Sequence, residues 1–200
     1  MSHRVFISYH HDNDQNDKNR LVEWAKKYDI FVDWSVDINE IPDYLTDLQI
    51  REIIRDEYLQ DCRITIILVG TETKNRKHVD WEIFSSMFDG KINKKSGIIV
   101  INLPTINCPN YRASHDGEKE NVFPENTNWA TISERKEFEQ LYPFMPDRII
   151  DNLINYNSRI SIINWEQLTP KKLEFMIEKA FEDKDVCIYD LSRSMKRRNT

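Results

Sequence analysis

Residues 63–90 have the sequence RITIILVGTETKNRKHVDWEIFSSMFDG, and this segment contains the pattern that decides the fold. Its first part, residues 64–69, is an apolar run rich in β-branched side chains that ends at Gly70. A run of this length and composition is typical of a strand buried on both faces, as in a parallel sheet. We therefore predict the central strand of a parallel sheet at residues 64–69.

A helix is predicted directly after the polar loop of residues 71–76. Val79, Ile83 and Met87 recur at helical spacing and form one apolar stripe that can pack on a sheet. Glu82 falls outside this stripe, about 60° around the helix from Val79. Because Glu82 comes early on the helix that follows the strand, it lies near the carboxyl end of a buried strand, where open α/β sheets bind ligands. The alternative interpretation is an ordinary solvated helix residue, because working carboxylates are the minority.

The composition is that of a globular protein and argues against several functional classes. Of the 200 residues, 40% are hydrophobic and 31% are charged, and the formal net charge of −6 argues against nucleic acid as a partner. No apolar run approaches the roughly 20 residues that span a bilayer. The N-terminal sequence MSHRVFISYHHDND has no signal-peptide pattern, so we expect a cytoplasmic protein without membrane contact.

Cysteine, glycine and histidine usage predicts neither a metal site nor a glycine-rich phosphate loop. Cys62, Cys108 and Cys187 form no C-x-x-C pair and no disulfide framework. The chain has four glycines, and the G-x-G-x-x-G and Walker A patterns are both absent. His10 and His11 are adjacent, but no third ligand has suitable spacing for zinc. We accordingly expect no metal and no cofactor.

Five predicted strands alternate with helical patterns along the chain. The strands are predicted at residues 4–9, 30–34, 64–69, 97–103 and 159–164. Helices are predicted at about residues 18–28, 43–60, 79–88, 133–141 and 148–154, and from the Thr169-Pro170 cap onwards. This alternation implies right-handed crossovers and a parallel sheet. The predicted fold class is α/β, a flavodoxin-like sheet of about five strands in the order 2-1-3-4-5, flanked by helices.

The chain is predicted to form one domain at residues 1–183, followed by a tail at 184–200. An irregular insertion is expected after the fourth strand, at about residues 104–158, because residues 105–128 are rich in Asn, Pro and charge. Loops of that length are usually functional or mobile. The polar, acidic residues 35–42 are predicted to form a further loop. The basic end of the tail, RSMKRRN, is expected to be solvated.

This topology predicts a ligand crevice over the ends of the first and third strands. Four consecutive residues after the first strand then lie near Glu82 and the 71–76 loop: Tyr9, His10, His11 and Asp12. Arg76 and Lys77 could contact a pyrophosphate or simply face water. Asp12 with Asp14 also suggests the acidic pocket of response regulators, but the central strand ends at Val69-Gly70, where a phosphoacceptor Asp would be needed.

Three segments carry a family resemblance. They are VFISY at residues 5–9 with acidic residues just after, ILVGTETKNRKHVDWEIFSS at 67–86, and GIIVIN at 97–102. Together they resemble the TIR-like (ThsB-type) proteins of bacterial Thoeris antiphage systems. The resemblance covers roughly residues 2–183, with residues 105–160 matching loosely. Enzymatic TIR domains often have a small residue and Trp-Cys near the glutamate, where this chain has Asp80-Trp81.

The resemblance implies an enzyme that splits NAD at the nicotinamide–ribose bond, with Glu82 as the catalytic residue. It implies a cyclic ADP-ribose isomer as product, acting as a second messenger on a separate effector. NAD is then a substrate, a phage-derived trigger is expected, and assembly into a homo-oligomer is allowed. The substrate-binding residues implied are Phe6, Ser8, Tyr9, His10, His11, Asp12, Asp33, Trp34 and Arg76.

A single carboxylate suffices for this chemistry. Nicotinamide leaves NAD as a neutral molecule, so no acid is needed to protonate it, and the reaction requires stabilisation of an oxocarbenium-like ribose. A glutamate against the ribose supplies that by its charge and by accepting hydroxyl hydrogen bonds. Cyclisation also requires that water be kept away from the ribosyl cation. Four aromatic residues are candidates for stacking on the substrate, although each fits a core position as well: Phe6, Tyr9, Trp34 and Trp81.

Two alternative functions remain open. A nucleoside deoxyribosyltransferase-like enzyme also uses a helix-borne glutamate against a ribose ring. A TIR domain that acts only as an interaction module needs no catalysis at all. Release of nicotinamide from NAD separates the enzyme from the module, and nucleobase exchange separates the transferase.

Overall fold

The computed structural model describes residues 2–35, 42, 44–90 and 94–199. Most of the loop predicted at residues 35–42 and the helix start predicted at residue 43 lie outside the described residues. Five parallel strands form one sheet in the order β2-β1-β3-β4-β5. The strands are β1 His3–Ser8, β2 Phe31–Asp33, β3 Ile64–Val69, β4 Gly97–Asn102 and β5 Ser161–Asn164. The predicted flavodoxin-like α/β fold and its strand order are confirmed.

Seven α-helices are described around this sheet. They are α1 His11–Tyr28, α2 Asp47–Ile53, α3 Lys77–Met87, α4 Glu118–Asn121, α5 Arg135–Leu141, α6 Asp147–Ile154 and α7 Pro170–Asp183. A π-helical segment, Ile54–Tyr58, continues α2. Thr46 caps α2, because its hydroxyl accepts from the N–H of Gln49 while the Gln49 side chain accepts from the N–H of Thr46. None of the described helices is both long enough and apolar enough to cross a bilayer.

The strand β3 lies at the centre of the sheet and is buried along its whole length. Its alternate side chains Ile64, Ile66 and Leu68 pack among residues of α1 and α7 on one face. Ile67 and Val69 pack against α3 and α6 on the other face. At roughly 2 kcal/mol per buried side chain, these five residues contribute on the order of 10 kcal/mol of gross burial free energy. The central-strand prediction is confirmed.

The same alternation in β1 directs side chains toward α3. Val5 and Ile7 join the cluster formed with α1 and α7. Phe6 instead packs with Trp81 of α3. Because strand side chains alternate with a period of two, Ser8 shares the face of Phe6 and is directed to the same helix.

The insertion is ordered by a buried carboxylate. Glu118 of α4 is fully buried, and its Oε2 accepts from the N–H groups of Ser114 at 2.7 Å and His115 at 3.1 Å. The same oxygen accepts from the hydroxyl of Ser161 in β5 at 2.6 Å. The predicted helices at 133–141 and 148–154 are confirmed as α5 and α6, whereas α4 was not predicted.

The basic end of the chain is bound to the domain at Met195 and Lys196, whereas Arg197, Arg198 and Asn199 are exposed, so the expectation of a solvated end holds only for these last residues. We call residues 186–199 the C-terminal strap. Met195 is 4% exposed and packs with Phe6 and Trp81. The backbone N–H of Lys196 donates to Oδ2 of Asp80 at 2.8 Å, and the Trp81 indole N–H donates to the Lys196 carbonyl at 2.7 Å. The strap also contributes side chains at its start: Cys187 is buried, and Tyr189 and Leu191 pack against the cluster formed by β3, α3 and α6.

Candidate active site

The end of β1 and the helix α3 bring Ser8 and Glu82 together. The hydroxyl of Ser8 donates to Oε2 of Glu82 over 2.5 Å, and both residues are buried, at 0% and 3% exposure. Burying a carboxylate is costly unless hydrogen bonds compensate, so this contact holds the Glu82 side chain in one position. The predicted proximity of Glu82 to the end of the first strand is therefore observed.

Glu82 lies outside the apolar stripe of α3 but is nevertheless buried, so it is not a solvated helix residue. One side of α3 packs on the sheet through Val79, Ile83 and Met87, as the apolar stripe predicts. The neighbouring side of α3 is also covered, because Trp81 packs with α2, the π-helical segment and the strap. Helix periodicity identifies the first surface but gives no sign of the second, since its cover comes from residues distant in sequence.

An ion pair inside the protein fastens the strap over α3. Arg148 of α6 is fully buried and donates to Asp80 through Nε at 2.9 Å and Nη2 at 3.1 Å. Its Nη1 and Nη2 also donate to the carbonyls of Arg193 and Ser194 in the strap. This bidentate geometry fixes Asp80, and with it the adjacent turn of α3 that carries Glu82.

A second group of predicted residues lies where β1 leads into α1. Arg76, directly before α3, donates from Nη2 to Oδ2 of Asp12 at 3.4 Å. The His10 ring is 5% exposed; its Nε2 lies 3.6 Å from the same carboxylate oxygen, and neither ring nitrogen has a hydrogen-bond partner among the described residues. Burial, followed by the charge of Arg76, lowers the pKa of His10, which favours the neutral ring. A neutral imidazole can donate to or accept from a ligand.

Arg76 is the N-cap residue of α3, and Glu82 lies six positions further along the chain. At 1.5 Å per residue, this corresponds to about 9 Å along the axis of α3.

The burial of Asp14 in the first turns of α1 was not predicted from the sequence. Asp14 is 2% exposed, and the Thr73 hydroxyl lies 3.4 Å from its Oδ2. Burial raises the pKa of Asp14 to about 6. Its carboxylate covers the end of β3 so closely that a Cβ on Gly70 would lie 2.5 Å from Oδ1. The signal was present in the sequence: Asp14 precedes the buried Leu21 by seven positions and therefore shares its face of α1.

Three of the four aromatic residues that are candidates for stacking on the substrate are buried in the core. Phe6 and Trp81 are 1% exposed and pack against each other with Met195. Tyr9 is 6% exposed, donates its hydroxyl to Oε1 of Gln15 at 2.7 Å and stacks on His11 with ring centroids 4.3 Å apart. These contacts fix the rings within the fold, and contact with a substrate stays a prediction.

Asp33 and Trp34 lie at the end of the edge strand β2. Asp33 accepts from Lys18 at 2.7 Å and from the Ser35 hydroxyl at 2.6 Å. Burial acts to raise the pKa of Asp33, but these hydrogen bonds outweigh it and the pKa is lowered. Trp34 is 41% exposed, and the Arg4 guanidinium lies 4.3 Å from its ring centroid. Asp33 thus joins β2 to α1, and substrate binding by either residue stays a prediction.

One comparison with known proteins decides the family. The family model described as the Thoeris protein ThsB, TIR-like domain, matches residues 6–107, just over half of the 200-residue chain. The chain belongs to this family. A search of curated proteins finds no match. Membership associates the chain with the Thoeris antiphage defence system.

The ThsB TIR-like segment contains the candidate site. Ser8, Asp14, Arg76 and Glu82 all lie within residues 6–107. The elements α4 to α7 and the strap lie beyond the matched segment. Among the described residues, no group of three or more His, Cys, Asp or Glu side chains is arranged to hold a metal ion.

Proposed function

We propose that this ThsB-type TIR domain cleaves NAD at the nicotinamide–ribose bond and converts the ADP-ribose portion into a cyclic isomer. The isomer then signals to a separate effector of the defence system. The observation that carries this proposal is the buried Ser8–Glu82 pair near the carboxyl ends of β1 and β3. In doubly wound sheets, neighbouring strands whose connections run in opposite directions form the ligand crevice at this point.

The chemistry assigned to Glu82 is electrostatic. As the bond between ribose C1′ and the pyridinium nitrogen breaks, its electron pair returns to the ring and nicotinamide leaves neutral. Positive charge develops on the ribose, and a carboxylate held against it stabilises that charge more strongly in the transition state than in bound NAD. The ring closes when a nucleophilic atom of the same ADP-ribose molecule attacks C1′ and releases its proton.

Ser8 and Arg76 have supporting roles in this proposal. The Ser8 hydroxyl fixes the orientation of the Glu82 carboxylate, so less reorganisation is needed at the reaction step. Arg76 lies about 9 Å along the helix from Glu82 and presents a guanidinium suited to a pyrophosphate. Attack of water on the ribosyl cation would give linear ADP-ribose instead of a ring. The buried setting of Glu82 keeps water away and therefore favours cyclisation.

Incubation of the purified protein with NAD, with and without extract of phage-infected cells, tests the proposal by mass spectrometry. Free nicotinamide together with an isomer of cyclic ADP-ribose supports it. A reaction that requires an added nucleobase and yields an exchanged nucleoside would identify the transferase alternative. NAD that stays intact in the presence of the trigger would leave a TIR interaction module as the function.

A further inference from the structure

The insertion encloses a pocket that shares no lining residue with the Glu82 site. Its cavity volume is about 400 Å³, within the range of roughly 300–1,000 Å³ that small-molecule sites occupy. Every lining residue lies between Pro109 and Tyr156, beyond the segment matched by the family model. The pocket is therefore a feature of the insertion and not of the shared TIR-like core.

The charge of the pocket is opposite to that of the chain. Arg112 and Lys119 line it, and no Asp or Glu among the described residues does. The chain as a whole has a formal net charge of −6. A cationic lining in an acidic protein selects for an anionic ligand.

Arg112 is the more informative of the two cations. Its Nε donates to the Ser114 hydroxyl at 3.1 Å and its Nη1 to the Leu153 carbonyl at 2.7 Å. No carboxylate of the described chain forms an ion pair with Arg112. Burial lowers the pKa of its guanidinium. The guanidinium is half-buried beside the rings of Phe138 and Tyr156, and without a carboxylate partner it is available to an anion in the adjoining pocket.

The walls of the pocket are suited to a flat ring. Tyr111 and Trp129 pack edge to face, with centroids 6.1 Å apart, and the Lys119 ammonium lies 5.0 Å from the Trp129 centroid. Tyr142 and Tyr156 line the pocket as well. Aromatic side chains stack on nucleobases irrespective of base identity. Asn128 adds an amide, the group that pairs with purine edges.

We propose that this pocket binds a small nucleotide, an aromatic base that carries a phosphate, at a site separate from Glu82. Tyr111 and Trp129 hold the base, and Arg112 with Lys119 binds the phosphate. The site gives the protein a means of sensing a nucleotide that it does not cleave.

Isothermal titration of the whole protein with AMP tests this site without any catalytic readout, because AMP has no nicotinamide to release. We expect one saturable AMP site per chain and at least tenfold weaker binding of adenosine, which lacks the phosphate. Lys119→Gln and Arg112→Gln should each weaken AMP binding about tenfold. Trp129→Leu should weaken it by a similar factor, about tenfold. Lys136→Gln is the matched control, since Lys136 is exposed on α5 and does not line the pocket.

Three outcomes would overturn the proposal. They are the absence of saturable AMP binding, equal affinity for adenosine and AMP, and AMP binding that Lys119→Gln leaves at the level of Lys136→Gln. Arg112 also contacts Ser114 and Leu153, so folding of its variant is checked by circular dichroism. Lys119 is exposed, and its variant decides the test if Arg112→Gln does not fold. Failure here leaves the NAD reaction untouched, since that reaction is measured by nicotinamide release.

Discussion

At the scale of single residues, the hydrogen bond between Ser8 and Glu82 joins fold to proposed chemistry. The strand alternation that buries Phe6 under Trp81 also aims Ser8 at α3. A carboxylate with 3% exposure is protected from solvent, and its electrostatic effect on a nearby charge is correspondingly stronger.

Glu82→Gln tests this residue directly. The substitution preserves shape and removes the negative charge, so nicotinamide release should fall about a hundredfold or more while NAD binding changes much less. Turnover and NAD affinity are measured with the trigger present. Glu174→Gln on α7 is the control, because it makes the same change at an exposed position.

Because Glu82 is buried, its substitution can change the stability of the fold as well as the activity. Unfolding by urea must therefore accompany the kinetic comparison. A folded Glu82→Gln protein that releases nicotinamide at the wild-type rate would refute the catalytic role.

Asp14 gives stability a pH dependence of predictable sign. Its pKa is raised from 3.8 to about 6, so between these values the folded protein binds more protons than the unfolded chain. Stability from this residue is therefore full below about pH 3.8, declines as pH rises, and is lost above about pH 6, with a total change of about 2–3 kcal/mol.

Asp14→Asn should abolish that dependence. The variant should match the wild type near pH 4 and exceed it in unfolding free energy by about 2 kcal/mol at pH 8. Urea unfolding at both pH values measures the difference, with Asp116→Asn at an exposed position as control. Equal stability of Asp14→Asn and wild type at pH 8 would show that the burial of Asp14 carries no such cost.

At the scale of elements, the Asp80–Arg148 pair holds α3, α6 and the strap together. Asp80→Asn leaves a fully buried guanidinium without its counter-charge, and we expect a loss of about 3–5 kcal/mol in unfolding free energy. The strap should also become sensitive to trypsin at Arg193 and Lys196, because Asp80 accepts the Lys196 N–H.

The exposed pair Arg4–Asp61 provides the control for this prediction. Its side chains are 43% and 67% exposed, so Asp61→Asn should cost no more than about 1 kcal/mol. Equal losses for the two variants, or an Asp80→Asn strap that resists trypsin as the wild type does, would refute the anchoring role of the buried pair.

The elements that sequence predicts best are those whose signals are local. The run at residues 64–69 is continuous and apolar, and Thr169 caps α7 with Pro170 at its first position, as predicted. The burial of Glu82 could not be predicted this way, because its partner Ser8 lies 74 positions away in the sequence. Asp80 and Arg148 are 68 positions apart, and no local pattern marks them as partners.

At the scale of the whole molecule, the burial of Glu82 implies a resting state with low activity. A substrate as large as NAD must contact Glu82 to be cleaved, yet that side chain is 3% exposed. The proposed reaction therefore requires a conformation in which α3 is more open. Minor conformations of this kind are commonly populated at about 0.1–10%.

We expect the purified protein alone to release nicotinamide slowly and a phage-derived trigger to accelerate it. If about 1% of molecules are open at rest, stabilising that form raises turnover by up to about a hundredfold. Nicotinamide release is measured with extract from infected and uninfected cells, and Glu82→Gln supplies the background in each. Hydrogen exchange on the same samples should show faster exchange in α3 and the strap with the trigger, while β3 stays protected. Full turnover by the purified protein without any activator would show that the buried conformation does not limit the reaction.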